Sequence, residues 1–438
     1  MRFLLVILCC IVTINFNNYI NLGEFYFYLL IAIVSLDIFL IKTIKLIHVW
    51  NGAFLFIIVS EVFSYYPFFG LNQLEALKYL IIANNIIYLG YISKRTPSFS
   101  TRHSVKIYDH RSSKLADFML IGLVAFYVFF KFKGAVASFT LGRDIAFGSG
   151  GSFFLSSVLS SLGLVLPAII AYYYLYVKNK SLVYPLLISA PIIIILFLAG
   201  NRFPLLFSAL GLVLVIQGKI LGQSSFKKMS ILIISFILLF SASLLMRSIR
   251  SSSSKSNEIV LLSKTHNVSL PERVSNFMSP EGVIDMTGLL IEHFKTRQHQ
   301  LGKSSSFLLY FWVPRQLWPD KPQMLGFWFI REYTANLSAG HSSALGFTGD
   351  LYVDFGKYSL LFVFLLGRVL KIGEAIQSML FKTKGYNIII GAMIFPYVFF
   401  FVRSPVTATM NFIGILFFCF ILKKIIFSNS KVITSNQK

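Results

Sequence analysis

Long apolar runs alternate with short polar stretches from one end of the chain to the other. Most of these runs approach the roughly 20 residues that an α-helix needs to cross the hydrocarbon core of a bilayer. Because a chain inside lipid must satisfy its own backbone hydrogen bonds, the runs predict membrane-spanning helices. The pattern predicts about twelve of them, near residues 3–20, 25–41, 47–66, 75–92, 116–132, 153–177, 182–200, 203–217, 229–246, 357–371, 387–402 and 407–425.

Basic residues in the short loops predict how these helices are oriented, because cytoplasmic loops of membrane proteins carry the excess of Lys and Arg. The loop at 93–115 is rich in both, and further basic loops fall on the same side of the predicted membrane. They contain Lys178 and Lys180; Lys219, Lys227 and Lys228; Arg368, Lys371, Lys382 and Lys384; and Lys423 and Lys424. This pattern predicts that both termini are cytoplasmic.

One long external segment dominates the predicted organisation. It covers residues 247–356, whereas no other external connection is much longer than the one around 133–152. The chain is therefore predicted to consist of a first transmembrane bundle (1–246), a large external loop (247–356), and C-terminal transmembrane helices with a short cytoplasmic tail (357–438). The two halves do not repeat each other, since the first half lacks a counterpart of this loop.

The external loop itself contains apolar patterns. The stretch GVIDMTGLLIEHF places Val283, Met286, Leu290 and Phe294 at helical spacing, which predicts a helix lying in the membrane interface. The stretches SSFLLYFWVP and MLGFWFI are too short to span a bilayer. We expect them to dip into the outer leaflet and return.

Composition agrees with an all-α, polytopic integral membrane protein, because 56% of the 438 residues are hydrophobic and only 13% are charged. The net charge of +23 does not indicate nucleic-acid binding, since predicted cytoplasmic loops and external arginines account for most of it. The three cysteines all lie in apolar runs, which predicts packing roles instead of disulfides or a metal site.

Charged residues inside the apolar runs are costly and usually face the protein interior. Glu61, Lys78, Asp37 and the Asn84-Asn85 pair are of this kind. A structural pair between Glu61 and Lys78 is favoured over a proton relay.

Several basic residues fall on the predicted outer face, against the usual bias, and therefore need a reason to be there. A guanidinium group binds phosphate oxygens bidentately and stays charged, so an anionic lipid phosphate or pyrophosphate is the expected ligand. The alternative is that they anchor helix ends by reaching towards headgroups. The candidates are Arg143, Arg202, Arg247, Arg250, Arg315, Lys321 and Arg403.

Three stretches resemble the O-antigen polymerases, the Wzy-type polymerases of oligosaccharide repeat units. They are GNRFPLLFSALGLVLVI, PRQLWPDKP and GHSSALGFTGDLYVDFG. The resemblance implies a GT-C-like glycosyltransferase in the bacterial inner membrane, with its active site facing the periplasm. Its implied partners are oligosaccharides linked to undecaprenyl pyrophosphate and membrane lipid, together with a chain-length regulator and a flippase. It implies no cofactor and no nucleic acid.

Such a transfer needs stabilisation of the leaving pyrophosphate and a base for the attacking hydroxyl. His341, followed by Gly346, Gly349 and Gly356, resembles the histidine of the related O-antigen ligases. Asp350 is the second candidate base and would need a pKa raised by burial. That neither residue is the base remains open. The external acidic residues contain no D-x-D pair and no carboxylate-histidine cluster with ligand spacing, which predicts a metal-independent reaction.

Two other functions fit the same pattern. A ligase would differ from a polymerase in its acceptor, which the sequence does not define. A transporter or lipid-linked oligosaccharide flippase would share the helix number, but it should show two related halves and charges near the midplane. The chain instead concentrates its unusual polar residues at the predicted outer face.

The predicted topology can be tested by cysteine labelling in intact cells. A cysteine introduced within 255–300 should react with an impermeant maleimide, whereas one within 97–112 should react only after the cells are opened. The opposite result would place the whole set of candidate residues in the cytoplasm.

Overall fold

The computed structural model of the chain describes residues 2–41, 44–63, 72–94, 107–109, 114–140, 153–199, 202–220, 282–311, 313, 317–321, 325–326, 328–329, 345–382, 386–426 and 431–433. These residues are almost entirely helical. The α-helices are α1 (Arg2–Asn15), α2 (Tyr19–Ile41), α3 (Leu46–Ile57), α4 (Gln73–Ser93), α5 (Lys114–Thr140), α6 (Phe153–Tyr172), α7 (Val183–Leu198), α8 (Arg202–Ile220), α9 (Val283–His293), α10 (Phe307–Tyr310), α11 (Gly346–Phe355), α12 (Ser359–Lys382), α13 (Asn387–Arg403) and α14 (Pro405–Ile426).

Short irregular elements complete the described chain. Two 3-10 turns, Val59–Phe63 and Gly356–Tyr358, follow α3 and α11, and a π-helical turn, Tyr173–Val177, follows α6. Strands β1 (Ile107–Asp109) and β2 (Lys431–Ile433) form an antiparallel pair with Ile107 opposite Ile433.

Five helical stretches among the described residues are long and apolar enough to cross a membrane. They are 19–39, 46–63, 114–137, 159–177 and 405–424, and shorter apolar helices cover 6–15, 183–198, 203–217 and 387–403. The predicted span near 229–246 lies outside the described residues. The other predicted spans each overlap a described helix, although α5 and α12 continue beyond their predicted ends to Thr140 and Lys382.

The chain forms two compact units that are each discontinuous in sequence. The first unit contains residues 1–97, 265–374 and 398–410, and the second contains 98–264, 375–397 and 411–438. Residues 282–355 thus belong to the same unit as α1–α4. The division into three contiguous segments stays a prediction.

The first unit is held together internally by buried polar side chains. The indole nitrogen of Trp50 donates to Asn84 Oδ1 at 2.9 Å, and the Asn84 amide donates to the hydroxyl of Tyr26 at 3.1 Å. Tyr26 in turn donates to Asn85 Oδ1 at 2.9 Å. This network joins α2, α3 and α4, and it gives the Trp50 indole and the Tyr26 hydroxyl partners that water would not supply inside a bilayer.

Charged groups in this unit also face inwards. The buried Lys371 ammonium donates to Glu374 Oε1 at 3.1 Å and to the Tyr91 hydroxyl at 3.2 Å. Asp37, also buried, lies 3.8 Å from His48 Nε2. Lys371 and Glu374 pair inside the unit, as charged groups in apolar surroundings usually do. Helix α12 therefore continues past the predicted end of the span near residue 371.

The predicted pair between Glu61 and Lys78 is wrong. Lys78 Nζ donates to the carbonyl oxygen of Ile14 at 2.8 Å. Glu61 instead accepts backbone amides from a distant helix, described below. A carboxylate inside an apolar unit needs strong donors, and three aligned amides provide them without a second charge.

The second unit packs α5, α6, α7 and α8 against one another. The Ser208 hydroxyl donates to the carbonyl oxygen of Gly163 at 3.1 Å, which brings α6 and α8 close together. Near the π-helical turn, Lys178 forms an ion pair with Asp117 at the start of α5. Large apolar side chains of α5, such as Phe118 and Phe129, are exposed, as expected for a helix facing lipid.

Two glycines allow α4 and α12 to cross with their backbones in contact. A Cβ atom on Gly90 would overlap the carbonyl oxygen of Phe364, and one on Gly367 would overlap that of Ile87. The Gly90 Cβ position would also lie 3.3 Å from the Cα atom of Gly367. Small residues at such crossings are the usual means of close helix packing in membranes.

This crossing predicts opposite effects for two glycine-to-alanine substitutions in the first unit. Gly367→Ala should lower the melting temperature, because overpacking costs about 1–3 kcal/mol. Gly52→Ala should leave it unchanged or raise it slightly, since no atom lies within 4 Å of its Cβ position and alanine is the better helix former. Thermal unfolding in detergent would measure both, and equal melting temperatures for the two variants would contradict the close crossing.

Candidate functional site

Helix α9 is held in the first unit by a carboxylate far away in sequence. Its N-cap residue is Gly282, with φ of 73°, which has no side chain to bind the first amides of the helix. Glu61 supplies the missing acceptor and receives hydrogen bonds from Val283 at 2.7 Å, Ile284 at 3.0 Å and Asp285 at 3.4 Å.

The sequence places α9 correctly, and its expected position in the membrane interface stays a prediction. Every side chain from Val283 to Leu290 is buried, so the helix has no free polar face along this part. It packs against α4 and α11. A second apolar stretch joins this core, because Leu325 and Phe329 are buried in the cluster around Leu290, with Trp328 packed against it.

Helix α11 presents two carboxylates on one face. It begins at Gly346 with φ of 71° and is followed by its C-cap residue Gly356 with φ of 55°, and both values suit glycine. At the C-terminal end a Cβ on Gly356 would overlap the ring of His299, so the backbone and this ring are in close contact. Asp350 and Asp354 lie one turn apart on the helix between these glycines, a spacing that brings two side chains together.

Asp354 is fully buried and is bound by the turn that precedes α10. Its carboxylate accepts the backbone amides of Ser304 at 3.0 Å and Ser305 at 2.9 Å, and it accepts their hydroxyls at 2.8 and 2.6 Å. The amide of Leu301 adds a bond to the Asp354 carbonyl oxygen at 2.9 Å. Four donors thus satisfy the hydrogen-bonding needs of this buried carboxylate.

Asp350 has a different environment. No described side chain donates a hydrogen bond to its carboxylate, although the Ser304 hydroxyl lies 3.5 Å from its backbone carbonyl oxygen. Burial, and then the negative charge of Asp354, raise the pKa of Asp350 to about 8. Its carboxyl group can therefore gain or lose a proton near neutral pH, which is the property of a general acid or base.

The two carboxylates thus differ in their surroundings. Asp354 is fixed by four donors, whereas the raised pKa of Asp350 allows it to exchange a proton near neutral pH. A buried carboxyl group with a raised pKa beside a second carboxylate is a recurring feature of acid–base sites. The described residues that build this site are Asp350, Asp354, Ser304 and Ser305, all in the first unit.

Several of the predicted site residues lie outside the described residues. These are the candidate base His341 and the candidate phosphate ligands Arg143, Arg247, Arg250 and Arg315. Arg202 is the first residue of α8, and its side chain is not described. Their roles stay predictions.

Arg403 is the predicted basic residue whose backbone lies beside the carboxylate helix. It is the last residue of α13 and is partly buried. The carbonyl oxygen of Val402, its neighbour, lies 3.6 Å from the Cβ position of Gly346 at the start of α11. The described chain therefore places one predicted phosphate ligand near the helix that carries Asp350.

Lys321 is engaged within its own loop. Its ammonium group is buried and donates to the carbonyl oxygens of Phe311 at 2.7 Å and Val313 at 2.9 Å. It also lies 5.1 Å from the ring centroid of Phe307. These contacts tie the end of the 307–321 segment back to its beginning, so in this arrangement the ammonium faces carbonyl groups instead of an open anion site.

Sequence reasoning singled out Asp350 but missed its partner. Asp354 lies four residues later, and a search for D-x-D pairs cannot find a D-x-x-x-D pair that becomes adjacent only on a helix. The contribution of Ser304 and Ser305 has no sequence signature, since 49 to 50 residues separate them from Asp354.

Among the described residues, no group of three or more His, Cys, Asp or Glu side chains could hold a metal ion. Metal independence nevertheless stays a prediction. No known protein family, curated protein or solved structure matches the chain.

The raised pKa predicts that Asp350 lowers the stability of the folded protein at neutral pH. Because the folded state binds the proton more tightly than the unfolded state, stability should fall as pH rises from about 4 towards 8. Asp350→Asn should remove this loss and stabilise the protein by about 1–2 kcal/mol at pH 8, less than the full linkage value because the residue is partly exposed.

Asp354→Ala is the matched variant and should have the opposite effect, because it leaves the amides of Ser304 and Ser305 without their acceptor. Thermal unfolding of both variants at pH 5 and pH 8 would measure these changes. Destabilisation by Asp350→Asn at both pH values would show that this carboxyl group is a structural hydrogen-bonding group.

Proposed function

We propose that the chain is a membrane glycosyltransferase of the O-antigen polymerase type. It transfers a growing glycan from undecaprenyl pyrophosphate to the non-reducing end of the next lipid-linked repeat unit, at the periplasmic face of the bacterial inner membrane. The observation that carries this proposal is the Asp350 carboxyl group, whose pKa of about 8 suits a general base near neutral pH.

The reaction requires one proton transfer and one charge to be stabilised. A hydroxyl oxygen of the acceptor sugar attacks the anomeric carbon of the donor glycan, and its proton passes to the Asp350 carboxylate. The bond between the anomeric carbon and the pyrophosphate oxygen breaks, so the lipid pyrophosphate leaves with the electron pair. At pH 7 about a tenth of Asp350 would be ionised and ready to accept the proton.

Basic residues stabilise the departing pyrophosphate in this proposal. Arg403 is supported by the position of its backbone beside α11. The remaining arginines, Arg143, Arg202, Arg247, Arg250 and Arg315, are proposed from their predicted external positions. Guanidinium groups need no metal to bind a pyrophosphate, so the reaction is proposed to be metal-independent and to need no cofactor.

The proposed architecture extends beyond the five long apolar helices. It comprises about twelve transmembrane helices in a GT-C-like arrangement, both termini in the cytoplasm, and residues 247–356 in the periplasm. The alternatives are a ligase-like glycosyltransferase, which would use the same base with another acceptor, and a flippase or transporter. The position of Asp350 on a short helix, outside the five long apolar stretches, favours a transferase over a transporter.

The base can be identified by comparing Asp350→Asn with His341→Ala in membrane vesicles supplied with lipid-linked oligosaccharides. Asp350→Asn should lower the rate by about 10²–10⁴-fold, the usual contribution of a general base. The wild-type rate should rise with pH up to about pH 8, because Asp350 must lose its proton before it can act. Any residual activity of the variant should lack this rise.

His341→Ala serves as the discriminating control. If His341 is the base, this variant loses the activity and Asp350→Asn keeps it, with the rise of the wild-type rate centred near pH 6.5. Normal glycan ladders from both single variants and from the double variant would overturn the assignment of a side-chain base. Normal glycan synthesis from cells lacking the whole gene would overturn the proposed function.

A further inference from the structure

Helix α12 exposes apolar side chains over its first turns. Leu361 and Leu365, one turn apart, are 68% and 51% exposed, and Phe362 beside them is 40% exposed. The opposite side of the helix is buried and includes Gly367 at its crossing with α4. An exposed apolar face of this kind fits contact with lipid chains, and Arg368 marks its polar end one turn later.

A second exposed apolar surface lies on the segment from 301 to 318. Leu301, Leu309 and Leu317 are 82%, 76% and 78% exposed. Each of these leucines is more than three-quarters exposed. Three such leucines are unusual on a segment that faces water, because an exposed leucine contributes no hydrophobic stabilisation. Trp318, which prefers the boundary between lipid and water, follows directly.

Contacts within the first unit join the Leu301 end of this second surface to α12. Leu301 is bonded through its amide to Asp354, and the Cβ position of Gly302 lies 3.9 Å from the ring of Phe355. The Phe355 ring stacks on Phe362 of α12 with 4.2 Å between centroids. We call the combined surface of Leu301, Leu309, Leu317, Leu361, Phe362 and Leu365 the apolar strip.

Two exposed lysines lie where the strip meets the carboxylate helix. Lys303 directly precedes the serines that bind Asp354, and Lys357 directly follows Gly356 at the end of α11. Four donors from Ser304 and Ser305 satisfy the Asp354 carboxylate without either lysine, and the two ammonium groups outnumber its single negative charge when Asp350 is protonated. The lysines therefore leave this junction with positive charge available for an anion.

We propose that the apolar strip and the lysines Lys303 and Lys357 together form a binding surface for an anionic lipid. The lipid chains lie on the strip, and the phosphate is held by the two ammonium groups. Lipid and protein charges are complementary, and the strip continues the lipid-facing side of α12. Binding of an anionic lipid does not depend on the proposed function. Only the identity of the reacting lipid does: it would be the polyprenyl-linked donor glycan, with its phosphate held beside Asp350.

The surface can be tested without measuring activity, through quenching of Trp318 fluorescence by brominated lipids in nanodiscs. The quenching lost on Trp318→Phe gives the contribution of this residue. Trp318 should be quenched by dibrominated phosphatidylcholine and resist iodide in the water phase. Trp328→Phe is the matched control and should remove little lipid quenching, because Trp328 packs against the protein core.

A second arm tests the lysines. Dibrominated phosphatidylglycerol should quench Trp318 at least about twofold more than the choline lipid at equal mole fraction, since each lysine near a membrane attracts anionic lipid. Lys303→Gln combined with Lys357→Gln should abolish this excess and keep the quenching by the choline lipid. Lys180→Gln, which alters an exposed lysine of the second unit, should change neither.

Quenching of Trp318 by iodide and not by brominated lipids would overturn the apolar strip as a lipid surface. An unchanged preference for the glycerol lipid in the double lysine variant would overturn the phosphate site. Because neither readout uses the transfer reaction, these failures would leave the role of Asp350 to be decided by the pH dependence of the rate. An inactive Asp350→Asn protein with normal quenching would support both proposals separately.

Discussion

The bond between Glu61 and the first amides of α9 is the contact on which the rest of the first unit depends. It connects residues 222 to 224 positions apart and compensates for a helix start that has only a glycine as its cap. A buried carboxylate without such donors would cost several kcal/mol. With them, it fixes the start of α9, and α9 in turn supports α11 through the cluster around Leu290 and Tyr352.

From this anchor a chain of contacts leads to the candidate site. Asn72 donates to Glu292 near the other end of α9 at 2.5 Å, so the helix is held at both ends by residues that flank α4 or follow α3. Helix α11 packs on α9, and the serine turn binds Asp354 on α11. A short polar helix thereby acquires a fixed position although it is not a membrane span.

Lipid as a surrounding medium explains why polar groups concentrate inside the first unit. Asn84, Lys371 and Glu374 bind partners within the unit, whereas leucines and phenylalanines occupy much of its surface. In water this distribution would be unfavourable, but in a bilayer unpaired polar groups are costly and apolar surface is not. In lipid, helices associate through van der Waals packing and not through the hydrophobic effect. Glycine therefore favours the crossing of α4 and α12, because it lets the two backbones come into contact.

Helix positions could be predicted from the sequence because long apolar runs report directly on the length of the spanning element. The contacts between helices could not be predicted, since they depend on which apolar runs become neighbours in the fold. Glu61 illustrates this: Lys78 is a reasonable partner by charge and spacing, yet the amides of Val283 and Ile284 satisfy the carboxylate without burying a second charge. Lys321 could be recognised as unusual, but its carbonyl partners follow from the fold of its loop.

Asp350 and Asp354 show most clearly what the fold adds to the sequence. Both are aspartates on one turn of one short helix, and nothing in the residues themselves separates their roles. Four donors bind the carboxylate of Asp354, whereas burial and the negative charge of Asp354 raise the pKa of Asp350. A structural protein would gain stability by replacing Asp350 with a neutral residue. A carboxyl group in such a position has a physical rationale when it exchanges a proton with another molecule, and in the proposed function that molecule is the acceptor sugar, through its hydroxyl group.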